Sequence, residues 1–155
     1  MEEMVTFFSS LMTADQNINL ESQAEILKVI PPMVSKEQNK MLSSIPKDEE
    51  IFKAVCSLGG DKAPGPDGFP MFFFQKLWNI VGKDVCDAVS KEFFGAKQIL
   101  KEVNSTFLCL IPKKLGADSP DQFRPISLCN SFYKIISKVL TSRLVQVIPL
   151  IISDQ

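Results

Sequence analysis

The sequence predicts an α+β fold, rich in helix and carrying one short β-hairpin. Three observations lead there. Apolar residues recur at three- and four-residue steps across 51–58 and 132–147, the period of a helix with one buried face. At 106–111 that period gives way to TFLCLI, which is apolar or small on both faces and rich in β-formers. A polar turn, KKLGADSPDQ, then separates this run from a second extended segment, FRPISL.

A chain of 155 residues has the length of one domain. Residues 1–47 read as a linker-like helical segment, because short helical patches are interrupted by Pro31-Pro32. From Asp48 the pattern sharpens. Ile51, Ala54, Val55 and Leu58 make one apolar face, with acids in the first turn and Gly59-Gly60 as the stop. The stretch DKAPGPDGFP at 61–70 cannot continue a helix or a strand, since Pro64, Pro66 and Pro70 fix their backbone angles and Gly65 and Gly68 free theirs. Pro70 opens an aromatic run, MFFFQKLW. A further helix follows, with Val81, Val85, Ala88, Val89 and Phe93 on one side and Gly95 at its end. Strand 106–111 is expected to be buried on two faces, and Pro125 gives its partner an edge position. The last helix carries the stripe Phe132, Ile135, Ile136, Val139, Leu140, Leu144 and Val147. Asn130 is its expected cap, Pro149 bends or ends it near Ile148, and Lys134, Lys138 and Arg143 lie off the stripe.

Net charge is −1, but its distribution is uneven. Residues 1–50 hold nine acids against four lysines, whereas 97–143 hold eight bases (Lys97 and Lys101 among them) against three acids. A polyanion would be drawn to that segment, and a solvated helix face accounts for the same charges. The chain has four cysteines and no histidine, without a CxxC pair, which excludes the usual zinc spacings and histidine-dependent nucleophilic catalysis. Cys56, Cys86, Cys109 and Cys129 each have apolar neighbours, so buried reduced thiols and a cytoplasmic or nuclear location are expected. The start, MEEMVTFFSSLM, has acids where a signal peptide needs bases, so secretion is not expected, and no apolar run reaches membrane-spanning length.

DKAPGPDG is not a nucleotide-binding P-loop, because Lys62 precedes the glycines and the Gly-Lys-Ser/Thr order is missing. Turn punctuation explains it as raw sequence. Asp48, Glu49 and Glu50 stand where carboxylates favour a helix dipole, so no metal site is expected there. Lys113 and Lys114 directly follow the strand, and Arg124 sits across the turn. A guanidinium can grip phosphate oxygens through two parallel bonds, so this hairpin is a candidate phosphate site.

The series KAPGPDGFP, LIPKK and FRPISLCNSFYKIISKVLTSRL resembles the amino-terminal part of a reverse transcriptase from a plant LINE-type (non-LTR) retrotransposon, over roughly 48–155. The resemblance implies an incomplete fingers subdomain of a right-hand polymerase over 48–155, with the palm missing. It implies that the loop is a structural, template-side element, that the hairpin arches over the incoming nucleotide, and that Lys113 and Arg124 contact the dNTP triphosphate. Lys62, Lys114, Lys134, Lys138 and Arg143 become candidates for nucleic-acid contact, Lys114 as an outer charge. RNA template, DNA primer and dNTP are the implied partners, with no membrane.

The resemblance implies chemistry with Mg2+ held by palm carboxylates, an aspartate on one strand and an aromatic-x-Asp-Asp turn on another. This sequence contains no Asp-Asp pair, and its ISDQ resembles the block that precedes the first catalytic aspartate. No catalytic or metal residue and no cofactor is therefore assigned to these residues, and the isolated polypeptide is not expected to polymerise DNA. A non-catalytic nucleic-acid-binding module and a functionless relic are the alternatives. Self-association through exposed apolar surface is a further expectation, because the palm would normally cover part of the hairpin.

Overall fold

The computed structural model describes residues 2–13, 20–29, 31–96 and 99–152. Lys97 and residues 153–155 of the ISDQ block lie outside them. The helices are α1 (Glu2–Met12), α2 (Leu20–Val29), α3 (Lys36–Ser43), α4 (Asp48–Ser57), α5 (Met71–Lys76), α6 (Trp78–Asp87), α7 (Ser131–Leu144) and α8 (Ile148–Ile151). Strands β1 (Thr106–Pro112) and β2 (Phe123–Cys129) form a two-stranded antiparallel sheet, so the fold is α+β as the sequence predicts.

The chain divides into two compact units. One comprises Met1–Pro32 with Leu108–Ser127, and the other Met33–Phe107 with Leu128–Gln155. In the first, α1 buries Phe8, and its apolar side forms a groove with Leu108 and Leu110 of β1.

The second unit holds the main core. Ile51, Ala54 and Val55 of α4 meet Met71 of α5, Val85 and Cys86 of α6, Val89, and Ile135, Ile136 and Val139 of α7. Each fully buried aliphatic side chain there contributes about 1.5–3 kcal/mol relative to exposure. The acids at 48–50 begin α4 without a side-chain cap, so favourable charge at the helix N-terminus does that work. Ser35 and Gln38 close α3 by a reciprocal capping box. Gly82 faces the ring of Trp78 so closely that a Cβ would stand 2.7 Å from the indole, and this gap lets the indole lie over α6 and reach Phe52 at 5.1 Å.

Three expectations are corrected here. The helix predicted through Gly95 is α-helical only to Asp87 and widens to a π-helix over Ala88–Gly95. The extra residue per turn lets the consecutive Phe93 and Phe94 both pack inward, where a regular helix would aim one outward. The last helix ends at Leu144, not near Ile148, and Pro149 instead opens α8, where its fixed φ suits a first turn. Asn130 occupies the N-cap position of α7, but its side chain makes no cap bond.

Candidate functional site

The Lys113 amide donates to the Gln122 carbonyl at 2.8 Å, which sets 113 opposite 122. Counting back along the two strands puts Ile111 opposite Arg124, Leu110 opposite Pro125 and Thr106 opposite Cys129. The Thr106 hydroxyl lies 3.7 Å from the Cys129 sulfur, the same register at the other end. Bonded pairs alternate along an antiparallel ladder, so the Pro125 nitrogen, which has no hydrogen to give, faces away from β1. The proline does sit on an edge.

Side chains alternate between the faces of a ribbon. Leu108 and Leu110 share the face turned to Met4, Val5, Phe8 and Met12 of α1. Cys109, Ile111, Lys113, Arg124 and Ile126 share the other. Lys113 and Arg124 are diagonal neighbours there, about 7–8 Å apart along the backbone. Lys113, Lys114 and Arg124 are exposed. The Lys113 ammonium donates to the Asp121 carbonyl at 2.6 Å, which holds it against the turn. Asp118 and Asp121, in the same turn, moderate the positive field. Two hydrogen-bond-donating cations on one face of a supported turn can grip a multiply charged phosphate chain.

The expected two-sided burial of strand 106–111 is not what the structure shows. Phe107 is 56% exposed and Ile111 49%. A two-stranded ribbon has two faces to cover, and α1 lies on one of them.

The remaining cations lie in the second unit. Lys62 is exposed, its stem folded along Gly59. Lys134 is half-buried and donates to the Ala63 carbonyl at 2.8 Å, and Lys138 is half-buried on α7. Arg143 was expected off the apolar stripe as a surface cation, and this is corrected. It is 4% exposed. Its Nε and Nη2 donate to Glu50 at 2.6 and 2.8 Å, and its Nη1 donates to the carbonyls of Ser44 and Leu42 at 2.6 and 3.1 Å. The Phe94 ring covers its guanidinium at 5.2 Å. Leu144, placed on the stripe by periodicity, is exposed instead. Arg143 has displaced it because every donor aimed inward finds an acceptor.

Among the described residues no three His, Cys, Asp or Glu side chains converge to hold a metal ion. Cys86 is buried, but Cys56 and Cys109 are exposed and Cys129 is half-buried, which corrects the expectation of four buried thiols. Apolar neighbours in sequence did not decide it, since Cys109 falls on the uncovered face of the ribbon. Burial, with the Asp48 carboxylate adding to it, pushes the Cys86 thiol up to about 11. Among the described residues no helix is long and apolar enough to cross a membrane.

No protein-family model matches the chain. The chain is similar to the transposon TX1 uncharacterized 149 kDa protein of Xenopus laevis, at 28% identity over 143 residues, which is 92% of this chain and 11% of that protein. Nearly the whole chain therefore shares a likeness with a small part of a transposon-encoded protein.

Proposed function

We propose that the chain is a reverse-transcriptase-like segment of a non-LTR retrotransposon protein, the fingers part of a right-hand polymerase, and that its hairpin end binds the triphosphate of a nucleotide. The similarity to a transposon-encoded protein and the three sequence blocks support the family reading. The observation that carries the site is the register of the ribbon, which puts Lys113 and Arg124 on one exposed face.

The residues divide the work by chemistry. Arg124 offers a planar fork for two phosphate oxygens, and Lys113 a compact charge at the end of β1. Lys114 adds an outer charge that draws the anion in. Lys62 and Lys138 are proposed contacts for an RNA template or DNA primer, and Lys134, which gives one ammonium hydrogen to the Ala63 carbonyl, offers the two that remain. Arg143 has no part in this surface, because its donors are engaged inside the fold. Mg2+ would serve phosphoryl transfer in the longer protein. The residues described here do not form a site for it, and no step is derived through it. With no Asp-Asp pair in the sequence, these 155 residues are proposed to bind nucleotide, not to transfer it.

Equilibrium binding of a fluorescent deoxynucleoside triphosphate tests this. Each of Lys113→Ala and Arg124→Ala should weaken Kd about tenfold, the effect of one charge-assisted bond at its weaker limit. Arg124→Lys, which keeps the charge and loses the fork, should recover only part of that loss. A double variant that binds within twofold of the parent would overturn the assignment. The eight bases gathered in 97–143 favour one second reading, an RNA-binding module without chemistry. It predicts RNA affinity that falls steeply with salt whether or not triphosphate binds.

A further inference from the structure

The proline–glycine loop is fastened to the first turn of α7 at every second residue. The Lys134 ammonium donates to the Ala63 carbonyl at 2.8 Å. The Asp67 amide donates to Asn130 Oδ1 at 3.1 Å, and the Ser131 hydroxyl donates to the Phe69 carbonyl at 2.7 Å. Between these anchors, Gly65 lies against the backbone of Cys129 and Asn130. A Cβ there would stand 2.6 Å from Asn130 Oδ1 and closer still to the Asn130 nitrogen. Residues 63, 65, 67 and 69 thus meet the helix start, and the prolines between them fix the angles that keep the alternation.

Asn130 is the centre of this arrangement. It is 5% exposed, and its carboxamide is fully used away from its own helix. Oδ1 takes the loop amide, while Nδ2 donates to the carbonyls of Glu102 at 2.8 Å and Val103 at 3.4 Å. We infer that Asn130 is a positioning residue whose single carboxamide locks the 61–70 loop and the 101–104 turn to the start of α7, with Lys134 as a second latch on the loop. The loop is then a fixed edge of the fold and not a moving lid. Losing the carboxamide leaves an amide and two carbonyls without their partner in a part-buried place, so both segments loosen together. This inference does not rest on any nucleotide or nucleic acid being bound.

Amide hydrogen exchange over 61–70 and 99–105 tests it, with Val139→Ala as a control that destabilises the core without touching the joint. Asn130→Ala should speed exchange in both segments about tenfold beyond the control at matched global stability, the loss of one net hydrogen bond. Asn130→Asp should separate the two arms. Its carboxylate still accepts from the Asp67 amide, so 66–70 stays protected, while it repels the Glu102 and Val103 carbonyls and frees 101–104. Exchange in both segments that rises only as far as in Val139→Ala would overturn the inference. If Asn130→Ala does not fold, unchanged protection of 101–104 in Asn130→Asp overturns it equally.

Discussion

Replacing Arg143 with Met should destabilise the protein by about 3 kcal/mol, and the structure sets that figure. Removing one partner of a buried ion pair typically costs about 3–5 kcal/mol, most of it the penalty for the charge left behind. Here the charge left behind is Glu50, whose side chain is 34% exposed against 5% for Arg143. Water can therefore reach the orphaned carboxylate, which puts the loss at the lower end. Met fills part of the vacated volume and keeps contact with Phe94, but the Leu42 and Ser44 carbonyls lose their donor. In a chain of this size about 3 kcal/mol lowers the melting midpoint by roughly 6–12 °C. Urea unfolding, followed by circular dichroism and by Trp78 emission, measures the difference directly. Glu50→Gln, and the double variant with Arg143→Met, complete a thermodynamic cycle whose coupling should exceed about 1 kcal/mol, since the two residues share bonds. RNA affinity of the folded Arg143→Met protein should stay within about twofold of the parent, because no free cation is lost. A stability change below about 1 kcal/mol, together with a marked loss of RNA affinity, would refute the reasoning and return Arg143 to the surface.

Two further predictions follow from contacts in the core. Gly82→Ala should push the Trp78 ring off α6 and away from Phe52, shifting the emission of the chain's one tryptophan. Overpacking of about 1–3 kcal/mol should outweigh the roughly 1 kcal/mol gained in helix propensity, and unchanged emission with raised stability would count against the contact. Cys86 should resist alkylation at pH 8, where Cys56 and Cys109 react, because its thiol stays protonated up to about 11. Its folded form holds the proton more tightly than the unfolded chain, so its contribution to stability is complete below about 9 and lost as pH climbs through about 11. Cys86→Ala should flatten that part of the stability profile.

What could be read from the sequence was what a local period encodes. The α4 face at Ile51, Ala54 and Val55, the α7 stripe from Ile135 to Val139, and the change from helical to strand pattern at Thr106 all depend on residues within one element, and all stand in the structure. The hairpin itself also followed, because a polar turn separates two β-rich runs, whereas its register came from the Lys113–Gln122 bond. Features that depend on residues far apart did not follow. Glu50 and Arg143 are separated by 93 positions, and nothing near either marks the other. The π-helix escaped because Phe93-Phe94 read as an ordinary pair on an amphipathic helix. Two-sided burial of β1 was inferred from composition, but composition states that a strand can be covered, not that a layer is there to cover it. One signal was available and missed: Ser35 with Gln38 three residues on is the sequence signature of a capped helix start.

The charge distribution shows the same division between what is counted and what is available. An acidic first third and a basic segment at 97–143 suggested a field presented to a polyanion. Folding uses part of that field internally. Glu50, one of the acids that opens α4, holds Arg143, the last base of the basic segment, and Lys134 gives its ammonium to a loop carbonyl. Among the described bases of that segment Lys101, Lys113, Lys114 and Arg124 stay exposed, and the last three share a ribbon whose one face rests on α1 and whose other face stays open. Substituting these three should therefore change the response to a phosphate ligand far more than substituting any three of the eight bases chosen by charge alone. A helix core built from local periods carries the structure, and the cations that periodicity left unexplained on the ribbon stay exposed to solvent.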